Sequence, residues 1–340
     1  MALPPQPFIV DTHQDLAYHC LEYNRGLADP GDTVCMITLP WLQAAGVRLI
    51  CAALFTEPRQ QEFTRRYKLH CEYEMYREWL EIYHEELWLI RDQSDLARLA
   101  AAEIVEVAGR RGYPVGVILL IEGCDLLDSA TEMRTWFERG VRMASLTWNG
   151  VNRFASGSFG DQRGLKAAGR ELLGVMESLG MILDLSHLSE LGIDEALALY
   201  RGPVCSGHTN AQAICQIERN LRDDQAQALA RRGGVIGLNM LAPLVTRGWK
   251  RGHPLPPISQ VVRHAEHLAH ITGKEHVGIG ADLDGGLTPD NTPLGIDRIT
   301  DLPRLGDGLA RAGWTAEEVV GFMGTNWWRF FERSLPPARR

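Results

Sequence analysis

Residues 180–210 read GMILDLSHLSELGIDEALALYRGPVCSGHTN and decide the fold. The stretch contains two short apolar runs, each bounded by Gly or Pro and each stopping at a histidine, His187 or His208. Such runs are typical of buried strands in a parallel sheet, and the residues between them have helical periodicity. The unit is therefore strand, helix, strand, with both imidazoles at the carboxyl ends of adjacent strands. In α/β folds, ligands and catalytic groups gather at that edge.

The same alternation of strands and helices continues along the chain. Eight βα units in 340 residues predict one domain, 1–340, with an α/β fold of the (β/α)8 TIM-barrel type. An open doubly wound sheet is the alternative. Residues 57 to about 110 contain no clear strand and predict a helical insert of two long helices after strand two. The eight predicted strands are 8–10, 47–55, 115–122, 141–149, 180–187, 202–208, 233–240 and 276–286.

Composition restricts the class of protein. The chain is 45% hydrophobic and 23% charged, which suits a globular protein with an ample core. A net charge of -8 disfavours nucleic acid as a partner. Seven cysteines without a CxxC pair predict buried thiols in a reducing compartment. We find no signal-peptide pattern and no apolar run long enough to span a bilayer, which predicts a cytoplasmic protein that does not bind membranes.

Polar residues close several of the predicted strands. In a barrel these ends converge on one face, and two residues in an H-x-D segment point the same way. Imidazoles and carboxylates suit Zn²⁺ or a similar divalent ion. Six groups are too many for one tetrahedral zinc, so we expect two ions bridged by a carboxylate and a water-derived hydroxide. The six residues are His13, Asp15, Glu122, His187, His208 and Asp282.

The order of several motifs resembles a known family. The motifs are DTHQD, IEG, LTWN, DLSHLS, SGHTNAQAICQIERN, GGVIGLN and VGIGADLDG. They are similar to the successive motifs of the membrane dipeptidase (renal dipeptidase) family, peptidase family M19, and the resemblance extends from about residue 8 to 331. It implies an amidohydrolase-type metal barrel that hydrolyses dipeptides with a binuclear zinc centre, and it suggests a homodimer.

The resemblance also implies a ligand set. His13 and Asp15 would bind one zinc ion, whereas His187 and His208 would bind the other. Glu122 would bridge the two ions.

Further residues would act on the substrate. Asp282 would hold the amino group of the dipeptide and manage the proton, with Asp284 as a weaker candidate. Arg219 matches a family arginine that pairs with the substrate carboxylate, because a guanidinium grips a carboxylate bidentately. The neighbouring Asn220 is predicted to cap a helix that starts at Leu221.

The chain departs from the family pattern in the LTWN motif, whose Trp148 and Asn149 we expect to contact the substrate. Many family members have a histidine where this chain has Trp148. A zinc-dependent dipeptidase, in which Asp282 passes a proton to the leaving amine, is the function predicted. The altered pocket keeps two alternatives open. One is a metal-dependent hydrolase of another amide, a lactone or a cyclic imide, and the other is a zinc-binding protein with little catalytic activity.

Overall fold

The computed structural model describes residues 3–5, 7–29 and 35–338. Eight parallel strands close into a barrel within these residues, with helices around it, and this confirms the (β/α)8 prediction. Three further strands lie outside the barrel wall. In chain order the strands are β1 (Ile9–Gln14), β2 (Val47–Leu54), β3 (Leu87–Leu89), β4 (Val105–Val107), β5 (Arg110–Gly112), β6 (Val115–Glu122), β7 (Val141–Ser145), β8 (Ile182–Asp184), β9 (Val204–Thr209), β10 (Ile236–Leu238) and β11 (Val277–Ile279).

Helices follow most of the barrel strands. They are α1 (Leu16–Tyr23), α2 (Leu39–Ala44), α3 (Glu62–Ile82), α4 (Gln93–Ala100), α5 (Met133–Glu138), α6 (Ala167–Leu179), α7 (Glu190–Leu199), α8 (Asp223–Arg231), α9 (Ala242–Val245), α10 (Ile258–Thr272), α11 (Pro303–Arg311), α12 (Ala316–Val320) and α13 (Asn326–Ser334). Among the described residues, no helix combines the length and the apolar character that crossing a membrane requires.

Pairing between β2 and β6 closes the barrel. Six consecutive residue pairs join these strands, from Leu49 opposite Gly116 to Leu54 opposite Ile121. The remaining neighbours follow the order β2, β1, β11, β10, β9, β8, β7, β6. Because this order returns to its starting strand, an open doubly wound sheet is excluded.

The insert after β2 differs from its prediction. It contains the long helix α3, but α4 has only eight residues, and three short strands accompany the helices. β3 and β7 pair with the same edge of β6. β3 pairs with the first residues of that strand, and β7 pairs with the last. β4 and β5 form a hairpin whose turn residues, Ala108 and Gly109, both have positive φ (49° and 77°). Strands of three residues are too short to show a period, and the turn lacks the Asn-Gly or Asp-Gly signal.

Both faces of the barrel strands are buried. Alternate residues of β2 belong to two separate apolar clusters, with Cys51 in one and Ile50 in the other. The cluster of Cys51 also contains Trp327 and Trp328 of α13. A strand buried on both sides has no polar alternation, which is why these segments are continuous apolar runs in the sequence.

Glycines allow three neighbouring strands to approach closely inside the barrel. A Cβ on Gly280 would lie 1.8 Å from the carbonyl oxygen of Gly207, and one on Gly237 would lie 2.1 Å from the same atom. That oxygen also accepts a hydrogen bond from Thr12 Oγ1 at 2.7 Å. The backbone is thus packed where even a methyl group has no room.

We predict that Gly280→Ala lowers the free energy of unfolding by about 1–3 kcal/mol or more, because the new methyl group must displace backbone. The measurement is the urea midpoint followed by tryptophan fluorescence. Gly174→Ala is the matched control, since that glycine is exposed in α6 with nothing within 4 Å of a new Cβ. It should raise stability by roughly 0.5–1 kcal/mol. Equal midpoints for both variants would contradict the packing argument.

Candidate metal centre and substrate pocket

The barrel brings all five predicted metal ligands together at the carboxyl ends of its strands. His13 lies in β1 and Asp15 follows that strand directly. Glu122 is the last residue of β6, and His208 is the fifth residue of β9. His187 lies three residues after β8, in the connection to α7. All five side chains are buried.

One carboxylate oxygen is the centre of this cluster. Glu122 Oε1 lies 2.9 Å from His187 Nε2, 3.2 Å from His208 Nε2 and 3.4 Å from His13 Nε2. The Nε2 atoms of His187 and His208 are 2.8 Å apart. Asp15 Oδ2 lies 3.5 Å from His13 Nε2. Glu122 Oε1 thus lies beside the Nε2 atoms of all three histidines, and the rings of His13 and His208 have their centroids 3.6 Å apart.

Two residues of the site have an unusual backbone. His187 has φ 67° and Asp282 has φ 60°, in the left-handed region that side chains other than Gly rarely adopt. His and Asp are among the residues that tolerate it best, although it remains unfavourable. Such strain persists where the surrounding structure fixes it, typically at functional sites. Here it turns both side chains towards the cluster after their strands have ended.

Burial and close charges perturb the pKa values of the cluster. Burial opposes ionisation of Glu122, but His13 and His187 outweigh it and hold the pKa of that carboxyl well below its usual range. Burial lowers the pKa of His13, yet Glu122 and Asp15 raise it well above normal overall. Burial and the charge of Arg219 lower the pKa of His187 to about 3. The nearby carboxylates thus favour a proton on His13, whereas burial disfavours one on His187.

The donor set fits divalent metal ions. Four buried atoms have no hydrogen-bond partner among the described residues: both ring nitrogens of His13, Asp15 Oδ1 and His208 Nδ1. Such orphaned groups are rare in proteins and call for an explanation such as an ion. The described residues contain two groups whose potential ligand atoms all lie within 4.8 Å of one another inside the group. One group is His13, Glu122 and His208, and the other is His13, Asp15 and Asp282. Imidazole and carboxylate groups so arranged suit zinc or a similar ion.

A second set of residues supports the ligands, and sequence reasoning missed most of it. Asn149 Oδ1 lies 2.8 Å from His187 Nδ1, so this residue, expected at the substrate, also contacts a predicted ligand. Asp184, in β8, is fully buried with Oδ2 4.0 Å from His208 Nδ1. Asn239 donates to Asp282 Oδ2 at 2.8 Å. The only signals for Asp184 and Asn239 were polar letters inside apolar runs.

A cavity of about 180 Å³ opens above the cluster. Trp148 forms part of its wall, stacked on His187 with ring centroids 5.9 Å apart and tilted against Phe55 at 5.4 Å. Trp148 lies three residues beyond the end of β7, so the strand is shorter than predicted. Pockets for drug-sized ligands have about 300–1,000 Å³, so this cavity suits a smaller molecule.

Arg219 and Asp282 line the cavity beside the cluster. Arg219 is buried with Nη1 lacking a partner among the described residues. Burial lowers its pKa, against the opposing effect of Asp282 and Glu122. Asp282 Oδ1 lies 3.9 Å from His13 Nε2, and burial raises the pKa of this carboxyl to about 8. The cavity thus offers one cation and one proton-binding carboxyl beside the cluster.

Two other predicted residues have structural contacts. Asp284 Oδ2 pairs with Arg25 Nη2 at 2.6 Å, and its Oδ1 accepts from the Met36 amide at 2.7 Å. The predicted cap at Asn220 is wrong, because α8 starts at Asp223. Asn220 Nδ2 instead donates to the carbonyls of Cys215 and Leu244, tying the loop that carries Arg219 to the cavity wall.

Comparisons with known proteins agree with this fold. Residues 2–335 match the sequence profile of the membrane dipeptidase family, peptidase family M19. An uncharacterised dipeptidase of Schizosaccharomyces pombe is 32% identical over 248 residues, 71% of this chain, and dipeptidase 3 of Rattus norvegicus is 29% identical over 221 residues, 63% of this chain. This chain spans 58% and 44% of the lengths of those two relatives.

Solved structures share the whole fold. A metallo peptidase from Rhodobacter sphaeroides, liganded with a phosphinate mimic of the dipeptide L-Ala-D-Ala, has a TM-score of 0.84 at 23% identity. The alignment covers 98% of this chain and 100% of that one. The dipeptidase AC, also a metallo peptidase of family M19, has a TM-score of 0.84 at 23% identity, with 98% and 99% of the two chains covered.

Proposed function

This chain belongs to the membrane dipeptidase family, and we propose that it is a metal-dependent dipeptidase. The observation that carries the proposal is the convergence of three imidazoles and Glu122 below a small cavity that also contains Arg219 and Asp282. The cofactor would be two zinc ions, one on His13 and Asp15 and one on the other two histidines, with Glu122 as the shared ligand. Bound ions would polarise the scissile carbonyl and activate a water molecule.

Other residues of the cavity would position the dipeptide and transfer protons. Arg219 would bind the free carboxylate of the dipeptide through its fork of N–H donors. Asp282 would hold the amino group, take a proton from the attacking water and deliver it to the leaving amine. A carboxyl with a pKa of about 8 suits proton transfer near neutral pH. Asn239 keeps this carboxyl in place by donating to its other oxygen.

Hydrolysis of dipeptides by metal-loaded protein is the direct test. A panel should contain free dipeptides, N-acyl amino acids, lactones and cyclic imides. We expect turnover of the free dipeptides, abolished by a chelator and restored by Zn²⁺. Preferred cleavage of a lactone or a cyclic imide would favour the alternative hydrolase. Metal binding without turnover of any compound would favour a zinc-binding protein.

The cytoplasmic location and the homodimer stay predictions. Cell fractionation would check the location, and light scattering would check the oligomeric state.

The first prediction from this function concerns Glu122. Glu122→Gln should lower the occupancy of both ions together, because one oxygen faces both pairs of ligands. Elemental analysis after zinc reconstitution measures it. Glu57→Gln is a matched control, since that carboxylate lines the same cavity but is not part of the cluster. Loss of a single ion in the Glu122 variant would show that Glu122 does not bridge.

A second prediction concerns Arg219. Arg219→Lys keeps the charge but loses the fork, so kcat/KM for dipeptides should fall by about tenfold to 150-fold, equivalent to roughly 1.5–3 kcal/mol. Dipeptide amides should be poor substrates for wild type, and the substitution should change their kcat/KM little. Arg222→Lys, in an exposed ion-pair cluster nearby, should leave activity unchanged. Equal cleavage of amides and free dipeptides by wild type would rule out this role.

A third prediction concerns Trp148. Its face is stacked on His187 and its ring walls the cavity, so we expect it to shape the pocket. Trp148→Phe should keep kcat and change which side chains are preferred in the dipeptide. Steady-state kinetics on a dipeptide panel measure both. A uniform fall of kcat by about 10²–10³, with rescue in Trp148→His, would instead indicate an oxyanion donor.

A further inference from the structure

The orientation of the two neighbouring histidines defines which nitrogen of each faces the cluster. His187 and His208 both present Nε2 to Glu122 Oε1, at 2.9 and 3.2 Å. A neutral imidazole carries one proton, and the ligand nitrogen must be the bare one. The proton of each ring must therefore be on Nδ1. The groups that face the two Nδ1 atoms fix the tautomer and the ring orientation, and they tune how strongly each ring binds an ion.

His187 has a formed contact at this position. Its Nδ1 lies 2.8 Å from Asn149 Oδ1. The same oxygen accepts a hydrogen bond from Ser158 Oγ at 3.2 Å. A neutral amide thus holds the proton of this ring.

His208 has a different environment. Its Nδ1 is buried without a hydrogen-bond partner among the described residues, and Asp184 Oδ2, 4.0 Å away, is also buried and unpartnered. The other oxygen, Asp184 Oδ1, accepts from the amides of Ser186 at 2.9 Å and Gly207 at 2.8 Å. The Ser186 amide lies two residues after β8 and the Gly207 amide lies within the adjacent strand β9, so two backbone donors fix the carboxylate through Oδ1. An acceptor and a donor, each without another partner, face each other across the gap.

Ion binding would close that gap. Two nitrogen ligands of a tetrahedral zinc, each at about 2.0–2.1 Å from the ion, are about 3.3 Å apart. The Nε2 atoms of His187 and His208 are only 2.8 Å apart, so the rings must separate to seat an ion. A shift of His208 by about 1 Å towards Asp184 would bring Nδ1 within hydrogen-bonding distance of Oδ2.

We propose that Asp184 is a positioning residue, whose carboxylate accepts the Nδ1 proton of His208 and thereby strengthens the binding of the ion shared with His187. This inference rests on the proposed metal function and extends it. The two histidines then differ in kind. One is held by a neutral amide and the other by a carboxylate, which makes His208 the more basic ligand.

The test is zinc binding by Asp184→Asn, titrated in competition with a chromophoric chelator. We expect the affinity of one ion to fall by about 10–100-fold, the range for outer contacts of metal ligands, while the second ion stays. Cobalt-loaded protein should show a changed d–d spectrum for that one ion. Unchanged affinities for both ions would overturn the proposal.

A control separates this effect from general damage to the barrel core. Asp11→Asn alters an equally buried carboxylate whose oxygens are both engaged, by the Ala281 amide and by Gln14. It should keep the affinity of the ion on His187 and His208. A selective loss of that ion in Asp11→Asn as well would reduce Asp184 to a structural role. Wild type that binds fewer than two ions would instead contradict the proposed binuclear function.

The wild-type protein gives a readout that needs no variant. Zinc-loaded protein labelled with ¹⁵N-histidine should show Nδ1-protonated, Nε2-ligated tautomers for the rings of His13, His187 and His208 in long-range ¹H–¹⁵N spectra. One of these Nδ1 protons should shift in Asp184→Asn, and another should shift in Asn149→Ala. If only the Asn149-dependent proton is found, Asp184 does not hold His208.

Discussion

The pairing of β2 with β6 is the constraint on which the site depends. Without this closure, β1 and β6 would carry His13 and Glu122 on separate parts of an open sheet. Closure brings His13 Nε2 to 3.4 Å from Glu122 Oε1, although 109 residues separate the two in the chain (122 − 13). Glycines at 207, 237 and 280 let β9, β10 and β11, on the opposite side of the barrel, approach each other closely. Closure of the barrel therefore determines both the packing of its strands and the geometry of the cluster.

The cluster is unfavourable as a set of buried charges alone. Carboxylates removed from water need a partner, and here the partners are three imidazoles, of which only His13 has a raised pKa. A divalent ion can replace that proton and satisfy the orphaned atoms of His13 and Asp15 at the same time. The same buried groups that lack partners in the protein alone would thus be the ligands of a bound ion.

The cavity above the cluster has charged residues for polar contacts and aromatic residues that determine its shape. Arg219 provides a positive charge, and Asp282 provides a carboxyl whose pKa of about 8 lets it gain or lose a proton near neutral pH. Trp148 and Phe55 provide an apolar wall, and Trp148 is stacked on His187. A tryptophan at this position cannot carry positive charge, so Trp148 contributes no imidazole chemistry to this wall. Selection of the substrate would then rest on the ring's size and the Arg219 guanidinium rather than on a further acid.

The sequence by itself determined the barrel, because strands buried on both faces must be continuous apolar runs and eight of them alternate with helices. It also determined the candidate ligands, since His13, Glu122, His187 and His208 each interrupt or end such a run. It missed β3 and the β4–β5 hairpin, whose strands are too short for periodicity, and misplaced the start of α8. Only the tertiary structure decided that Asn149 faces His187, that Asp184 faces His208, and that Asp284 turns to Arg25 instead of the cluster. These contacts join residues distant in the chain, and their geometry depends on backbone angles and strand register, which no local pattern of residues specifies.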